Sequence, residues 1–299
     1  MPDRPPAGAS APAAAAVRAA LSEIALRGAL ILPGSLWRDV RVVPQTGSTN
    51  ADLLAEAGNG APQGLVLAAE SQTAGRGRMG RRWSSPPRAA LTFSVLLRPG
   101  DMPPASRGWV PLLAGVAVAG AIRAETGLDA RLKWPNDVLV SGAKVAGILA
   151  EQSGDAIVVG TGINVSTSQQ EMPAPGATSL ALAGAAELDR ERLLIRVLAG
   201  MQRWYLAWTG TAPGASGSNS SGAAAGDASG YASGDADGCG LRPEYLRLSA
   251  TIGRAVRVSL PGGQLLTGTA QDVDEAGRLV VRAASGLVPV SAGDVIHLR

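Results

Sequence analysis

The spacing of apolar and polar residues predicts a domain that mixes helices with strands. Short apolar runs have the length of buried strands, whereas longer runs between a capping residue and a glycine have the length of helices. Two apolar runs on either side of residues 141–143 predict a β-hairpin. The other predicted strands are 40–43, 65–70, 91–97 and 156–160, and the predicted helices are 14–30, 48–58, 109–126 and 189–208. At the start of the second helix, Asp52 follows Thr49 by three residues, which predicts that the two pair in a capping arrangement.

A break in composition at residue 210 predicts a second, smaller domain. Of residues 211–240, 25 of 30 are Gly, Ala, Ser or Asp, which is typical of a flexible linker or insertion. A short helix near 244–248 and five short strands separated by glycines follow, and they indicate a small antiparallel barrel. The predicted organisation is a disordered Pro/Ala tail at 1–13, a main domain at 14–209, a linker at 210–240 and a C-terminal domain at 241–299.

Composition excludes several classes of protein. Cys239 is the only cysteine and lies in the linker, so we expect an exposed, unused thiol and no disulfides. His297 is the only histidine and lies in the last predicted strand, which excludes a catalytic triad and favours a structural role. The N-terminus has no signal-peptide pattern, and the uncharged run between Arg107 and Arg123 is shorter than the roughly 20 residues of a membrane span. We therefore expect a soluble, cytoplasmic protein.

A glycine-rich loop carries four arginines. The segment 75–80 matches the G-x-G-x-x-G pattern of dinucleotide sites, but Pro86 and Pro87 forbid the helix that such a site needs. What remains is a loop with Arg76, Arg78, Arg81 and Arg82. Arginine binds phosphate or carboxylate bidentately, and glycine lets the backbone approach a ligand closely. A solvated basic loop or a nucleic-acid surface is the alternative that this segment leaves open.

The two lysines of the chain lie close together in sequence. Of 27 basic residues only Lys133 and Lys144 are lysines, and the predicted hairpin brings them toward one site. Asn136 and Asp137 follow Lys133, and a carboxylate beside bound phosphates is a typical Mg²⁺ anchor. An exposed turn with ordinary surface lysines is the alternative. Further along, residues 160–164 (GTGIN) are interpreted as a strand that ends in a Gly-x-Gly turn.

Taken in order, these segments resemble the biotin–protein ligase family. The resemblance covers about residues 40–200, and the small C-terminal barrel is similar to the SH3-like end domain of that family. It implies an α+β fold in which helices flank a mixed or antiparallel sheet, similar to the class II synthetase-like catalytic domain. The motifs are STN at 48–50, Gln72 with GRGRMGRRW at 75–83, KWPND at 133–137, KVAGILAE at 144–151 and GTGIN at 160–164.

The resemblance implies a two-step ligase. Biotin's carboxylate attacks the α-phosphate of MgATP, giving biotinyl-5′-adenylate and pyrophosphate. A lysine of a biotin carboxyl carrier domain, from acetyl-CoA carboxylase or a related carboxylase, then displaces AMP. Arg76, Arg78 and the two lysines suit this chemistry, because each like-charge contact near 4 Å costs about 4 kcal/mol at an effective dielectric near 20. No general base is implied, since the attacking carboxylate is already ionised.

The site residues that the resemblance implies fall into three sets. Those for biotin are Ser48, Thr49, Asn50, Gln72, Gly75, Arg76, Gly77, Arg78, Lys144 and Gly162, the last at a sheet edge. Those for the nucleotide are Arg78, Lys133, Asn136, Asp137 and Asn164, with Asp137 also as the contact for Mg²⁺. The catalytic residues are Arg78, Lys133 and Lys144.

Three alternatives to a monofunctional biotin ligase remain: a different substrate, a different class of protein, and a second, DNA-binding activity. A lipoate or octanoate ligase shares the fold, but that group shows a histidine after the glycine–arginine loop and this chain has none there. A nucleic-acid-binding regulator would use the arginine loop, but the net charge is only +3 and there are 6 Trp, 3 Tyr and 1 Phe. Some family members carry an N-terminal DNA-binding domain, for which the 47 residues before Ser48 leave too little room. We expect a monofunctional ligase that binds neither DNA nor membranes.

Overall fold

The computed structural model describes residues 18–172, 175–211 and 234–298, which build two β-sheets. The larger sheet has seven strands in the order β1-β2-β3-β7-β6-β5-β4, and only β1 and β2 run parallel. The predicted tail at 1–13 and most of the predicted linker lie outside the described residues. The seven strands are Asp39–Val43 (β1), Leu65–Ala69 (β2), Ala90–Leu97 (β3), Ala130–Lys133 (β4), Asp137–Val140 (β5), Ala143–Ser153 (β6) and Ala156–Asn164 (β7).

Helices cover both faces of this sheet, which confirms the mixed sheet with flanking helices. On one face, α3 and α4 pack on the large apolar core that includes Phe93, Val159 and Ile163. On the other face, α2 places Leu53 against a smaller core that includes Val158. Alternate residues of β7 thus enter opposite cores, as the two-residue period of a strand requires. The helices are Glu23–Leu30 (α1), Thr49–Gly58 (α2), Trp109–Thr126 (α3), Arg190–Thr209 (α4) and Leu241–Leu248 (α5).

The most apolar helix of the described chain is α3. It ends at Gly127, which adopts the left-handed conformation that glycine accepts without strain. The segment Pro104–Thr126 is long and apolar enough to cross a membrane by length and composition, but 67% of its most apolar window is buried inside the fold. The helix packs against β4, β5 and β6 on one side and against α4 on another. A helix that is apolar all round is therefore the core helix of this domain.

The C-terminal residues form the predicted antiparallel sheet, with strand order β11-β10-β9-β8-β12. Trp109 donates its indole N–H to the carbonyl of Glu275 at 2.9 Å, and Trp134 donates to that of Gly277 at 3.1 Å. Two tryptophans thus fasten the second sheet to the domain that holds the larger one. Its strands are Ala255–Ser259 (β8), Leu265–Val273 (β9), Leu279–Ala283 (β10), Gly286–Val290 (β11) and Asp294–His297 (β12).

Four local predictions were wrong. The first helix begins at Glu23 rather than near residue 14, because Ser22 is extended and its side chain caps the helix. Ser48 caps α2 by accepting from Ala51, so the predicted pairing of Thr49 with Asp52 does not form. The strand β7 continues to Asn164, so no Gly-x-Gly turn ends it. Cys239 is half-buried rather than exposed, and burial raises the pKa of its thiol.

Candidate active site

A cleft of about 550 Å³ lies on the face of the large sheet that carries α2. Its walls are the start of α2, the glycine–arginine loop, the turn between β4 and β5, and the strand β12 of the second sheet. Of the fourteen residues that the sequence analysis assigned to a site, only Gly75 does not line this cleft. The structure brings together Ser48, Thr49, Asn50, Gln72, Arg76, Gly77, Arg78, Lys133, Asn136, Asp137, Lys144, Gly162 and Asn164.

The inner end of the cleft is a network of buried, uncharged polar groups. The backbone N–H of Thr49 donates to Gln72 Oε1 at 2.8 Å, and the Thr49 hydroxyl lies 2.7 Å from Ser94 Oγ. Ser94 in turn donates to Asn50 Oδ1 at 2.6 Å. Thr49, Asn50 and Ser94 are at most 4% exposed. Such a network holds hydrogen-bonding groups in fixed directions, which suits recognition of a polar but uncharged ligand.

Three glycines of the sheet make room for side chains on the floor of the cleft. A Cβ atom at Gly160 would lie 2.2 Å from Asn50 Oδ1, and one at Gly162 would lie 2.3 Å from the ring of Trp83. At Gly147 it would lie 3.1 Å from Lys144 Nζ. Gly160 and Gly162 are therefore needed because side chains from other elements lie directly on the sheet, whereas the neighbour of Gly147 is Lys144 of the same strand. Since β7 pairs with β3 on one side and β6 on the other, Gly162 lies in the middle of the sheet, and its predicted place at a sheet edge was wrong.

The glycine–arginine loop is a short hairpin with one 3₁₀ turn at Arg78–Gly80. The N–H of Gly77 donates to the carbonyl of Arg81 at 2.7 Å, and the N–H of Trp83 donates to that of Gly75 at 3.0 Å. A Cβ at Gly75 would lie 2.4 Å from the Trp83 carbonyl oxygen, so Gly75 supports the hairpin from its base. No helix begins at the third glycine, which confirms that the dinucleotide pattern was a false match.

The outer end of the cleft carries the charges. Lys144 Nζ lies 2.6 Å from Asp137 Oδ1, and Lys133 lines the same cleft, so the hairpin does bring the two lysines to one site. Arg78 donates to Asn136 Oδ1 and to the carbonyl of Gly293, both at 3.2 Å. Burial lowers the pKa of the Arg78 guanidinium below its usual range. These cations face a space in which an anionic ligand would offset their mutual repulsion.

The second sheet closes the outer end of the cleft. Arg81 forms an ion pair with Asp294 at the start of β12, and Arg78 reaches the neighbouring Gly293. The glycine–arginine loop therefore touches both domains. These contacts span more than 200 positions of sequence, so no local pattern predicted them.

Asp137 is a single carboxylate rather than part of a metal cluster. Within the described ranges no group of three or more His, Cys, Asp or Glu side chains could hold a metal ion. Asp137 already pairs with Lys144. Because Mg²⁺ takes one or two carboxylates together with phosphate oxygens, this arrangement fits an ion that arrives bound to a nucleotide rather than a resident one.

His297 joins the second sheet to the turn after β4. The backbone N–H of Trp134 donates to Thr251 Oγ1 at 3.1 Å, and His297 Nε2 lies 3.1 Å from the same hydroxyl. Burial and the nearby charges of Lys133 and Arg254 lower the pKa of the imidazole. The neutral ring is thus the form that these surroundings favour, and its contact is with a structural hydroxyl, as expected of a structural histidine.

Asn164, assigned to the nucleotide, lies at the end of β7. It is 3% exposed, and its Nδ2 donates to the carbonyl of Thr178 at 3.0 Å. Its Oδ1 is buried and has no hydrogen-bond partner among the residues that the structure describes. Asn164 lines the cleft, and a buried acceptor without a donor at such a place suits a donor from a ligand.

The sequence reasoning missed Trp83 and Asp294, which line the cleft, and Ser94, which lies behind its inner end. Trp83 lies within a recognised motif, but nothing in the motif showed that its ring covers Gly162. Its indole N–H is buried and has no acceptor within the described part of the chain. Ser94 carried a weak signal, since it is a polar residue inside an apolar strand. Asp294 carried none, because its partner lies in another domain.

Comparison with protein families gives two matches. Residues 42–168 match the biotin/lipoate A/B protein ligase family, and residues 251–298 match the biotin protein ligase C-terminal domain. The first match contains the inner network and all the cations of the cleft. The second contains Asp294 and the rest of the sheet that closes it.

Individual relatives agree with the family matches. The chain is 44% identical over 291 residues to the biotin–[acetyl-CoA-carboxylase] ligase of Mycobacterium tuberculosis, covering 95% of this chain and 98% of that protein. It is 37% identical over 172 residues to the bifunctional ligase/repressor BirA of Bacillus spizizenii, covering 55% of this chain and 52% of that protein. A biotin protein ligase from Aquifex aeolicus, solved with biotin and ATP, superposes with a TM-score of 0.67 at 26% identity, covering 88% of this chain and all of that one.

Proposed function

This chain belongs to the biotin/lipoate A/B protein ligase family, and we propose that it is the ATP-dependent ligase that attaches biotin to an acetyl-CoA carboxylase or related carboxylase. One observation carries the proposal. A single cleft joins a buried hydrogen-bonding network, whose Thr49, Asn50 and Gln72 side chains line the cleft and are uncharged, to a cluster of cations, and glycines of the sheet make room for the side chains on the floor of the cleft. Biotin has the matching chemistry, because its cyclic urea is polar and uncharged while its carboxylate is an anion.

In the first step the two substrates meet at the outer end of the cleft. Thr49, Asn50 and Gln72 hold the ring of biotin, so that its carboxylate extends along the cleft toward Lys144. A carboxylate oxygen attacks the α-phosphorus of MgATP, a P–O bond forms, and the bond to the β-phosphate oxygen breaks to release pyrophosphate. Lys133, Lys144 and Arg78 offset the repulsion between the two anions and stabilise the charge that develops in the transition state.

In the second step an acceptor lysine enters the cleft. Its neutral amine attacks the carbonyl carbon of biotinyl-5′-adenylate, the carbon–oxygen bond to phosphate breaks, and AMP leaves as an anion while the amine loses a proton. The acceptor is a biotin carboxyl carrier domain, which supplies the nucleophile, so the chain needs no nucleophile of its own. Mg²⁺ enters with ATP and meets Asp137, and Asn164 offers its free acceptor to the nucleotide. We place this enzyme in the cytoplasm, where ATP is available.

The inner network also separates biotin from lipoate and octanoate. The inner ends of those two acids are apolar, so they would displace water from the polar groups that line the inner end without giving them hydrogen bonds, at a cost of about 1–3 kcal/mol for each group left unsatisfied. A site that hydrogen-bonds a polar group of its substrate strongly rejects an analogue without that group. An apolar site rejects an analogue with one added group only weakly. The polar network therefore favours biotin.

Pyrophosphate–ATP exchange tests the proposal. Purified full-length protein is supplied with MgATP and biotin, lipoate or octanoate in separate reactions. We expect exchange with biotin alone, and transfer of biotin to a carrier domain when one is added. Exchange with lipoate or octanoate instead would overturn the assignment of the inner network, and no exchange by folded protein with any of the three would overturn the proposed function.

Binding to DNA is a separate question. We propose that the chain acts as a ligase without a repressor activity, since no feature of the described cleft needs DNA. A gel-shift experiment with biotin-operon operator DNA at physiological salt, with and without biotin and ATP, would contradict this by showing a specific complex.

A further inference from the structure

Glu151 uses its two carboxylate oxygens on two different parts of the cleft. Its Oε2 accepts a hydrogen bond from Asn50 Nδ2 at 2.8 Å, at the inner end. Its Oε1 lies 3.4 Å from Arg76 Nη1, in the glycine–arginine loop. Building on the proposed function, we propose that Glu151 is a positioning residue that fixes the orientation of Asn50 and couples the biotin-binding network to the position of Arg76.

The hydrogen bonds of Asn50 with Glu151 and Ser94 have defined directions. A carboxylate only accepts, so Glu151 requires Asn50 to turn its amide nitrogen toward it. The amide oxygen of Asn50 then faces Ser94, whose hydroxyl must donate to it at 2.6 Å. Ser94 has only one proton, so it meets the Thr49 hydroxyl at 2.7 Å as an acceptor. Asn50 Nδ2 also donates to the carbonyl of Leu149 at 3.1 Å, so Glu151 acts together with this carbonyl to set the donor and acceptor order that a ligand meets in the inner network.

The other contact of Glu151 is with Arg76 in the glycine–arginine loop. The side chain of Arg76 is 47% exposed, whereas that of Glu151 is 26% exposed. Glu151 belongs to β6, which pairs with β7 along most of its length, so the carboxylate is the fixed partner and the arginine the adjustable one. Because the same carboxylate contacts both residues, a ligand that is held by Asn50 also favours the position of Arg76, and Arg76 in that position favours the ligand-binding orientation of Asn50.

Two substitutions separate this coupling from a general structural role. Glu151→Gln keeps an oxygen that can accept from Asn50 but removes the charge that attracts Arg76, whereas Glu151→Ala removes both contacts. Asp155→Asn is the matched control, because Asp155 lies at the end of the same β6–β7 hairpin and pairs with Arg98 away from the cleft. All three are made in the full-length chain, and circular dichroism and thermal unfolding confirm that each is folded.

The readout is pyrophosphate–ATP exchange with biotin and ATP varied separately, together with the release rate of biotinyl-5′-adenylate. For Glu151→Ala we expect the KM for biotin to rise about tenfold or more with little change in the KM for ATP, and the intermediate to dissociate faster. For Glu151→Gln we expect a smaller rise in the KM for biotin but a similar acceleration of release. The control should match the wild type in both quantities.

Two results would overturn the proposal. Equal changes in the KM values for biotin and ATP, or a loss of thermal stability with unchanged kinetics, would reduce Glu151 to a structural residue. If the wild type catalyses pyrophosphate–ATP exchange with biotin, either result contradicts only the role of Glu151 and leaves the ligase assignment intact. If the wild type shows no exchange with biotin, the ligase assignment fails and the role of Glu151 falls with it.

Discussion

The two ends of the cleft recognise ligands by different physical means. At the inner end Ser94 is fully buried, and it forms neutral hydrogen bonds with Thr49 and Asn50. At the outer end the side chain of Arg81 is 59% exposed and that of Lys144 is 33% exposed, and both pair with carboxylates. The inner end is organised before any ligand arrives, whereas the outer end holds charges in ion pairs that an incoming phosphate can replace.

This difference predicts different kinds of defect. Loss of a partner in a buried network leaves polar groups unsatisfied and costs about 1–3 kcal/mol in binding. An exposed ion pair contributes about 0–1 kcal/mol, because water and salt screen it. A cation that meets charge developing in the transition state is the exception, since its contribution appears in the rate rather than in binding. Inner substitutions should therefore affect KM, and the central outer lysine should affect kcat.

The largest effect is expected from Lys144→Met, which removes the ammonium group but keeps a side chain of similar length. We expect kcat for pyrophosphate exchange to fall by roughly 10²–10³-fold, the cost of losing one group that stabilises transition-state charge. The KM for biotin should change much less. Arg282→Met, on the surface of the second sheet, is the matched control for loss of a cation. A mutant that loses biotin affinity but keeps kcat would place Lys144 in ground-state binding instead.

Local patterns in the sequence predicted most of the fold. The predicted bounds of α3 are the observed ones, because a long apolar run is followed by a last turn with Arg123 and Glu125 and then by Gly127. The strand β7 was cut short at Gly160, since glycine weakens a strand unless something else occupies its place. Here Asn50 and Trp83 lie where the missing side chains would be. That reason exists only in three dimensions, so the local pattern could not supply it.

The same limit applies to the site. Ordered motifs predicted which residues line the cleft, since these motifs lie within one domain. Partners were not predicted where they lie far apart in sequence: Ser94 with Asn50, Glu151 with Arg76, and Asp294 with Arg81. A polar residue in an apolar strand, such as Ser94, indicates a hydrogen-bond partner on another element, because a buried hydroxyl requires one.

An intermediate effect is expected from Ser94→Ala at the inner end. The substitution leaves Asn50 Oδ1 without its donor, so we expect the KM for biotin to rise by roughly 5- to 100-fold, corresponding to about 1–3 kcal/mol, with kcat nearly unchanged. Ser35→Ala removes a hydroxyl that bonds Gln202 outside the cleft and serves as the control. A fall in kcat of similar size would show that the inner network also acts in the transition state and would remove the contrast between the two ends.

The smallest effect is expected from Asp294→Asn, at the contact between the second sheet and the glycine–arginine loop. Asp294 pairs with Arg81, so its neutral replacement leaves that cation free to attract the phosphates of MgATP. We expect the KM for ATP to fall by about two- to fivefold at low salt, with the KM for biotin unchanged. Because the pair is exposed, the difference should disappear as the ionic strength rises. Glu244→Gln removes a carboxylate that pairs with Arg247 on α5 and should leave both values unchanged. A rise in the KM for ATP that persists at high salt would mean that Asp294 holds the loop in its working position, and the outer end would then be as firmly organised as the inner one.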